Sequence, residues 1–330
     1  MKILVTGASG YLGNNLAHKL AAMGNHVHAL VRSDATKELL QHANITVFKG
    51  DIMQKESLSV AIKGCQQVYH TAAKVGVWAK DPVVFYDVNV DGTRNVLNAA
   101  ITAGVAKTVF TSTCGIIGPS CNEPMSEKDP RITGFVLDYE LSKKMSEDLV
   151  FQYAKKGMSI ITVCPSKVFG PGNISHSLTA NAIIDKFLKR KLALIPSPGT
   201  HKVCMAYIDD IVNGHLLAME KGKSGEKYIL GGTNISYYDF FDRIRTLLSG
   251  KGNIIKVSKN TIKAWAFLQL LNYKISGIAP TLTIKSAEAI FSNYIFSSEK
   301  ASNELGYTIT PLDDALQKTI QFLKTNHYAQ

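Results

Sequence analysis

The chain has 330 residues, enough for one large domain or two with a substantial buried core. Its 45% hydrophobic and 19% charged content excludes a disordered or fibrous chain. The net charge of +11 comes from scattered lysines, with short pairs such as Lys143–Lys144 and Lys155–Lys156 but no basic array, so nucleic acid is not an expected partner.

Ile3, Leu4 and Val5 read as a buried parallel strand, and Tyr11–Met23 as a helix with Leu12, Leu16 and Leu20 on one face. Between them TGASGYLG, residues 6–13, sets Gly7, Gly10 and Gly13 at G-x-x-G-x-x-G spacing. A strand that turns through glycines into a helix aims backbone N–H groups and the positive end of the helix dipole at one spot. That spot suits a pyrophosphate, so Gly7, Ser9, Gly10, Tyr11 and Leu12 are the expected dinucleotide contacts. Because Lys2 leads straight into the strand, no cleavable signal is expected.

Further apolar or β-branched runs follow at Val27–Val31, Thr46–Phe48, Gln67–His70, Thr108–Thr111 and Ser159–Val163. Helical patterns fall between them, notably Asp91–Ala103, with Val96, Leu97 and Ala100 as its stripe. The alternation predicts an α/β fold, a Rossmann-type doubly wound parallel sheet with its ligand across the carboxyl ends of the strands. After Cys164 the texture changes. A Pro/Gly loop leads to a helix near Leu178–Lys189, a Pro196–Gly199 turn, a helix at Asp209–Glu220 and a strand at Tyr228–Leu230. The expected division is a dinucleotide-binding domain over 1–165, receiving segments around 200–230, and an interleaved, smaller and mostly helical substrate lobe over 166–330. Ile262–Ile278 is apolar but interrupted by Lys263 and Lys274. It is too short for a comfortable membrane span and reads as a core-facing or dimer-forming helix in preference to a membrane-interfacial one. Cys65, Cys114, Cys121, Cys164 and Cys204 show neither a disulfide framework nor metal-ligand spacing, which predicts a reducing cytoplasm and no metal.

Tyr139-Glu-Leu-Ser-Lys143 carries the chemistry. Residues i and i+4 share a helix face, so an ammonium one turn from a phenol is expected to lower its pKa and make proton exchange with a carbonyl oxygen feasible. Lys143 is also placed to bond a nicotinamide ribose. Phe110-Thr-Ser-Thr-Cys-Gly, at the end of the preceding strand, puts hydroxyls where a substrate oxygen would sit.

Through these motifs the chain resembles the extended short-chain dehydrogenase/reductase family, also called the NAD-dependent epimerase/dehydratase family. The resemblance runs nearly end to end, through TGASGYLG, Gly50–Asp51, HTAA at 70–73, NVDGTRNVL from Asn89, FTST, YELSK, PSKVFGPG from Pro165 and YIDD from Tyr207. It implies that Asp51 and Ile52 flank the adenine, that Thr71, Ala72 and Ala73 line the cofactor, and that Asn89 supports the site. Pro165 and Val168 of the PSKVFGPG turn join the cofactor contacts. Thr113 stands at the usual catalytic serine position, a departure that keeps the hydroxyl and adds a methyl, with Ser112 as the fallback. A homodimer through two helices per subunit, one of them Tyr139–Lys156, is implied as well.

Arg32 ends the second strand, where NAD-specific sites place an acid. A guanidinium suits a 2′-phosphate, so NADP(H) is the expected cofactor and NAD(H) the weaker alternative, kept open by Asp34. Relatives acting on nucleotide sugars carry two diphosphate-binding arginines; here those neighbourhoods read VCPSK, 163–167, and VCMA, 203–206. The chain instead resembles the branch of dihydroflavonol reductases and 3β-hydroxysteroid dehydrogenases. It is also similar, through Glu304–Leu312, to bacterial hopanoid-associated sugar epimerases. The expectation is an NADPH-dependent reductase of a hydrophobic ketone or aldehyde, with catalytic Thr113, Tyr139 and Lys143. The expected substrate pocket holds Val75, Trp78, Lys167 and Phe169, with Val203–Ala206 as lid. A nucleotide-sugar epimerase or dehydratase that retains its nicotinamide, and a non-catalytic NADP sensor, are the alternatives.

Overall fold

Successive residues of a strand point to opposite faces, and here both faces are covered. Leu4 packs with Leu58, Ile62, Val68 and Val96 on one side; Val5 packs with Leu16, Leu20 and Val109 on the other. Strands buried on both faces belong to a parallel sheet flanked by helices. In the computed structural model the described residues are 1–172 and 180–328.

The first half runs β1 (Lys2–Thr6), α1 (Tyr11–Ala22), β2 (His26–Val31), β3 (Ile45–Lys49), α2 (Lys55–Ala61) and β4 (Gln67–His70). Then α3 (Val83–Tyr86) passes through a π turn at Asp87–Asp91 into α4 (Gly92–Thr102). β5 (Lys107–Thr111), α5 (Asp138–Lys155) and β6 (Ile160–Pro165) follow. Next come β7 (Lys167–Phe169), α6 (Ala180–Arg190), β8 (Leu192–Pro196), β9 (Lys202–Tyr207), α7 (Ile208–Lys221) and β10 (Lys227–Leu230). The chain ends with β11 (Thr233–Ser236), α8 (Tyr237–Leu247), β12 (Asn253–Val257), α9 (Lys259–Ser276), α10 (Ile284–Ala289), α11 (Glu299–Leu305) and α12 (Leu312–Tyr328). Leu178 and Thr179, expected to open the helix at α6, lie outside the described residues.

Seven strands form one parallel sheet in the order β10-β6-β5-β4-β1-β2-β3. The Rossmann-like expectation is met. The chain winds outward from β1 to β3, then crosses back to β4 beside β1. At that switch point Thr6 is level with His70, so the segments leaving both strands emerge together. β11, β9 and β7 make a second sheet, and β12 and β8 a third.

Of the two readings of 262–278, core-facing or dimer-forming, the core-facing one is met only in part. α9 has Ala266 as its one buried residue, while Trp265, Phe267, Leu268 and Leu271 are exposed.

Two histidines sit inside the sheet domain as neutral rings. His215 touches the Ile211 carbonyl and the Thr111 hydroxyl at 2.7 and 2.9 Å, and burial pulls it down to about 4. His70 is pulled to about 3 by burial and then by the Lys143 charge. Both pKa values lie below the unfolded value, so the folded state binds fewer protons and stability is lost as pH falls below about 6.5. Between pH 6.5 and 5, above the ordinary carboxylate range, each histidine should contribute a slope approaching about 1.4 kcal/mol per pH unit. Urea unfolding of the wild type and of His215→Gln across that window checks this: the variant should show a shallower pH dependence.

Candidate active site at the β1–β4 switch point

The glycine turn is shaped by what it touches. Gly7 has φ +71°, and a Cβ there would lie 2.7 Å from the Ala72 nitrogen. A Cβ on Gly13 would lie 2.3 Å from the Gly7 carbonyl oxygen and 2.7 Å from Thr71 Oγ1. The Gly10 N–H donates to the Gly7 carbonyl at 2.9 Å, and α1 starts at Gly10 with no side-chain cap and no acid in its first turn. This cradle, with the helix dipole behind it, fits the pyrophosphate of a dinucleotide. Ser9 lies half-buried in the turn and Leu12 packs against the core. Tyr11 offers only its backbone, because its phenol donates to the Gly170 carbonyl at 2.8 Å.

Thr71, Ala72 and Ala73 leave β4 half-buried against that turn. The Thr71 hydroxyl donates to the Thr6 carbonyl at 2.7 Å, and the Ala72 N–H donates to the Thr6 hydroxyl at 3.3 Å. Thr6 in turn lies 2.7 Å from His70 Nδ1, His70 Nε2 lies 3.0 Å from the Thr93 hydroxyl, and Thr93 donates to the Asn89 carbonyl at 2.5 Å. Since Thr93 spends its proton on Asn89, His70 must carry its own on Nε2 and accept at Nδ1 from Thr6. One directed chain thus joins the cradle to the π turn, where Asn89 lies.

Asn89 then reaches the chemistry. Its side chain accepts from the Lys74 N–H at 2.7 Å and donates to the Ser142 hydroxyl at 2.8 Å. The Ser146 hydroxyl donates to its carbonyl at 2.7 Å. These bonds hold α5, and α5 carries Tyr139 and Lys143. Tyr139 is half-buried with the Thr113 hydroxyl beside its phenol, and Thr113 Oγ1 accepts from the Gly115 N–H at 3.1 Å. Beside it, after the end of β5, the buried Ser112 hydroxyl has no hydrogen-bond partner among the described residues.

The expected lowering of the phenol by Lys143 does not occur. Burial pushes Tyr139 up to about 12, against the opposing bond from Thr113. Burial also pulls Lys143 down to about 8. Its ammonium donates to the Thr111 carbonyl at 2.8 Å and lies 4.2 Å over the Phe110 ring, directed into the sheet. Desolvation outweighs the attraction that helix spacing alone suggests.

Arg32 is exposed at the end of β2 and makes no ion pair among the described residues, whereas Asp34 is held by Lys37 and Lys49, each at 3.0 Å. Asp51 Oδ1 accepts from the Met53 N–H at 2.9 Å. Ile52 turns inward, 5% exposed in the core under Gly92, and its carbonyl accepts from the Asn95 side chain at 3.1 Å. Pro165 is buried at the end of β6 and Val168 is half-buried against the core. Val75 is exposed, Trp78 packs on Tyr273 of α9 at 4.5 Å, and exposed Lys167 lies 5.7 Å from the Tyr237 ring. Phe169, expected as a pocket wall, is instead 1% exposed and packs on Tyr207 and Phe240 as a core residue. Val203–Ala206 are buried for the same reason, as the middle strand between β11 and β7.

The sequence model of the NAD dependent epimerase/dehydratase family matches residues 3–231. The chain belongs to that family. Members of the epimerase/dehydratase family are NAD(P)-dependent enzymes that act on alcohol and carbonyl groups, and this chain is one of them. A Synechocystis sp. protein provisionally named dihydroflavonol 4-reductase is 29% identical over 99% of this chain and 95% of its own. Sterol demethylase protein B of Methylococcus capsulatus is 34% identical over 70% of each chain. The solved UDP-glucuronic acid 4-epimerase of Bacillus cereus, with UDP-glucuronic acid and NAD, is 25% identical, covers 99% of this chain and 100% of its own, and superposes with a TM-score of 0.78.

In this epimerase/dehydratase-family chain, Thr6, His70, Thr93, Ser142 and Ser146 were not among the sequence candidates, although HTAA and YELSK contain two of the five. Arg131 gave no sequence signal at all. It pairs with Glu140 at 3.0 Å, both largely buried, and donates to the Gly115 carbonyl at 2.6 Å, clamping the loop after β5 beside Tyr139. Gly13→Ala should cost about 2 kcal/mol or more, because its methyl meets the Gly7 backbone on one side and the Thr71 hydroxyl on the other. Gly10→Ala, whose methyl meets only the Gly7 carbonyl at 3.2 Å, should keep the fold. Thermal unfolding of the two variants checks the contrast.

Proposed function

We propose that the chain is an NADPH-dependent reductase of a relatively hydrophobic ketone or aldehyde. The observation that carries this reading is the Tyr139–Thr113 hydroxyl pair at the carboxyl edge of the sheet, with Lys143 one turn along α5. A reduction needs a proton donor, and a phenol held near 12 is protonated at neutral pH. Tyr139 gives its proton to the substrate oxygen while Thr113 bonds the same oxygen. Hydride for the carbonyl carbon comes from the bound dihydronicotinamide. Lys143, one turn along α5 with its ammonium on the Thr111 carbonyl, is the residue that would hold the nicotinamide ribose.

Arg32, which makes no ion pair among the described residues, and Asp34, engaged by two lysines, support NADP(H) over NAD(H). Exposed Val75, the Trp78 ring and exposed Lys167 support an apolar substrate with room for one anionic group. The reading places the cofactor on residues 1–165 with contributions from about 200–230, and the substrate against 166–330. Exposed Met145 and Phe151 on α5 support a homodimer, and five free cysteines support a cytoplasmic setting. The second reading, an epimerase with retained nicotinamide, is favoured by the likeness to the Bacillus cereus epimerase. Net consumption of NADPH with aromatic or long-chain carbonyl compounds separates the two. Micromolar binding of a nucleotide sugar would favour the epimerase.

NADPH should bind more tightly than NADH, and Arg32→Ala should weaken NADPH by about tenfold or more while leaving NADH nearly unchanged; calorimetry of both cofactors checks this. Tyr139→Phe removes one hydroxyl, so the variant should fold and bind NADPH while turnover falls by about 10²–10⁴-fold. Steady-state NADPH oxidation reads the loss, and unchanged turnover would remove Tyr139 from the mechanism.

A further inference from the structure

Helix α9 shows solvent what a helix ordinarily hides. Ala264, Phe267, Leu268, Leu271 and Ile275 recur at the spacing of one helix face, and all five are exposed. Leu268 is 53% exposed and Ile275 88%. Trp265 flanks the stripe at 60%, and Ile278 extends it at 66% past the Gly277 cap. The inward face has its own apolar residues, with Ala266 buried and Ile262, Leu270 and Tyr273 half-buried. Both faces are therefore apolar, and the inward one already packs on the protein.

Charge identifies the partner. From residue 243 to residue 287 the chain has no Asp or Glu and eight Lys or Arg. Of these eight, Arg243, Arg245 and Lys263 pair with Asp313, Asp242 and Glu288, whereas exposed Lys274 and Lys285 make no ion pair among the described residues. A second copy docked here across a twofold axis would bring two such basic sets together at a cost in repulsion. Among the described residues no helix is long and apolar enough to cross a membrane. An apolar stripe edged by tryptophan and lysines suits a helix lying in the plane of a bilayer, its side chains in the acyl boundary and its ammonium groups among anionic headgroups.

We propose that α9 docks the protein onto the surface of an anionic phospholipid bilayer. The Trp78–Tyr273 contact ties α9 to the segment that leaves β4, so docking sets the crevice of the sheet beside the bilayer. This inference goes beyond the proposed reductase activity and does not rest on it.

The test is co-sedimentation with vesicles of phosphatidylcholine alone or mixed in equal parts with phosphatidylglycerol, at low and high salt. The wild type should pellet with the anionic vesicles at least about tenfold better than with the neutral ones, and high salt should weaken it. Lys274→Glu/Lys285→Glu should lose at least about tenfold, and Leu268→Asp/Leu271→Asp should lose the binding. Ile275→Asp, at the most exposed position of the stripe, is the milder apolar variant, and circular dichroism melts report that each variant folds. In Trp78→Phe, Trp265 is the remaining tryptophan, and its emission should shift to the blue on binding. The proposal is overturned if the wild type stays in the supernatant with anionic vesicles. It is equally overturned if folded α9 variants bind as well as the wild type, or if sedimentation velocity shows that they convert a dimer to a monomer.

Discussion

The close approach of the β1 turn to the segment leaving β4 is the constraint on which the rest depends. Gly7 faces the backbone of Ala72, and Gly13 faces both the Gly7 carbonyl and the Thr71 hydroxyl, with no room for a methyl group at either. Parallel strands that end level with one another create the approach, and the switch in winding direction leaves a crevice above it. Because helix α1 starts inside this contact, its uncapped amide end is aimed by backbone packing rather than by a flexible side chain.

From this contact a hydrogen-bonded chain carries order to the catalytic helix. Ala72, Thr6, His70, Thr93 and Asn89 form one directed series, and Asn89 continues to Ser142 on α5. The series works only with neutral His70, and burial together with the nearby Lys143 charge keeps it neutral. The π turn at Asp87–Asp91 is what presents Asn89 to both sides: its carbonyl accepts from two hydroxyls while its side chain bridges Lys74 and Ser142. Cofactor cradle and proton donor are thereby parts of one rigid unit, which is what positioned acid–base chemistry requires.

Burial sets the acid–base character of that unit. It raises the Tyr139 phenol and lowers the Lys143 ammonium, each toward its neutral form, and the hydroxyl of Thr113 is the main opposing influence on the phenol. The buried Arg131–Glu140 pair places a compensated charge next to Tyr139 and fixes the loop above it. On the far side of the crevice α9 is bound to the rest of the protein by one apolar face and presents another.

Much of this was legible in the residues themselves. A backbone turn needs glycine at set positions, and a buried parallel strand needs an unbroken apolar run, so TGASGYLG and the first six strands could be located within a residue or two. Thr113 and Tyr139 were legible as neighbours because a strand end and a helix face each have a fixed period. What only the tertiary structure decided was which way side chains turn and how strongly they are desolvated. Phe169 sits in a motif but faces the core because β7 lies against β9. Lys143 shares a face with Tyr139, yet its ammonium reaches Thr111, because the sheet behind it offers a carbonyl and an aromatic ring. The stripe of α9 has the periodicity of a core face, and periodicity cannot say which side of a helix the rest of the chain will cover. That depends on packing partners far away in sequence, here Trp78 against Tyr273, which local spacing does not encode.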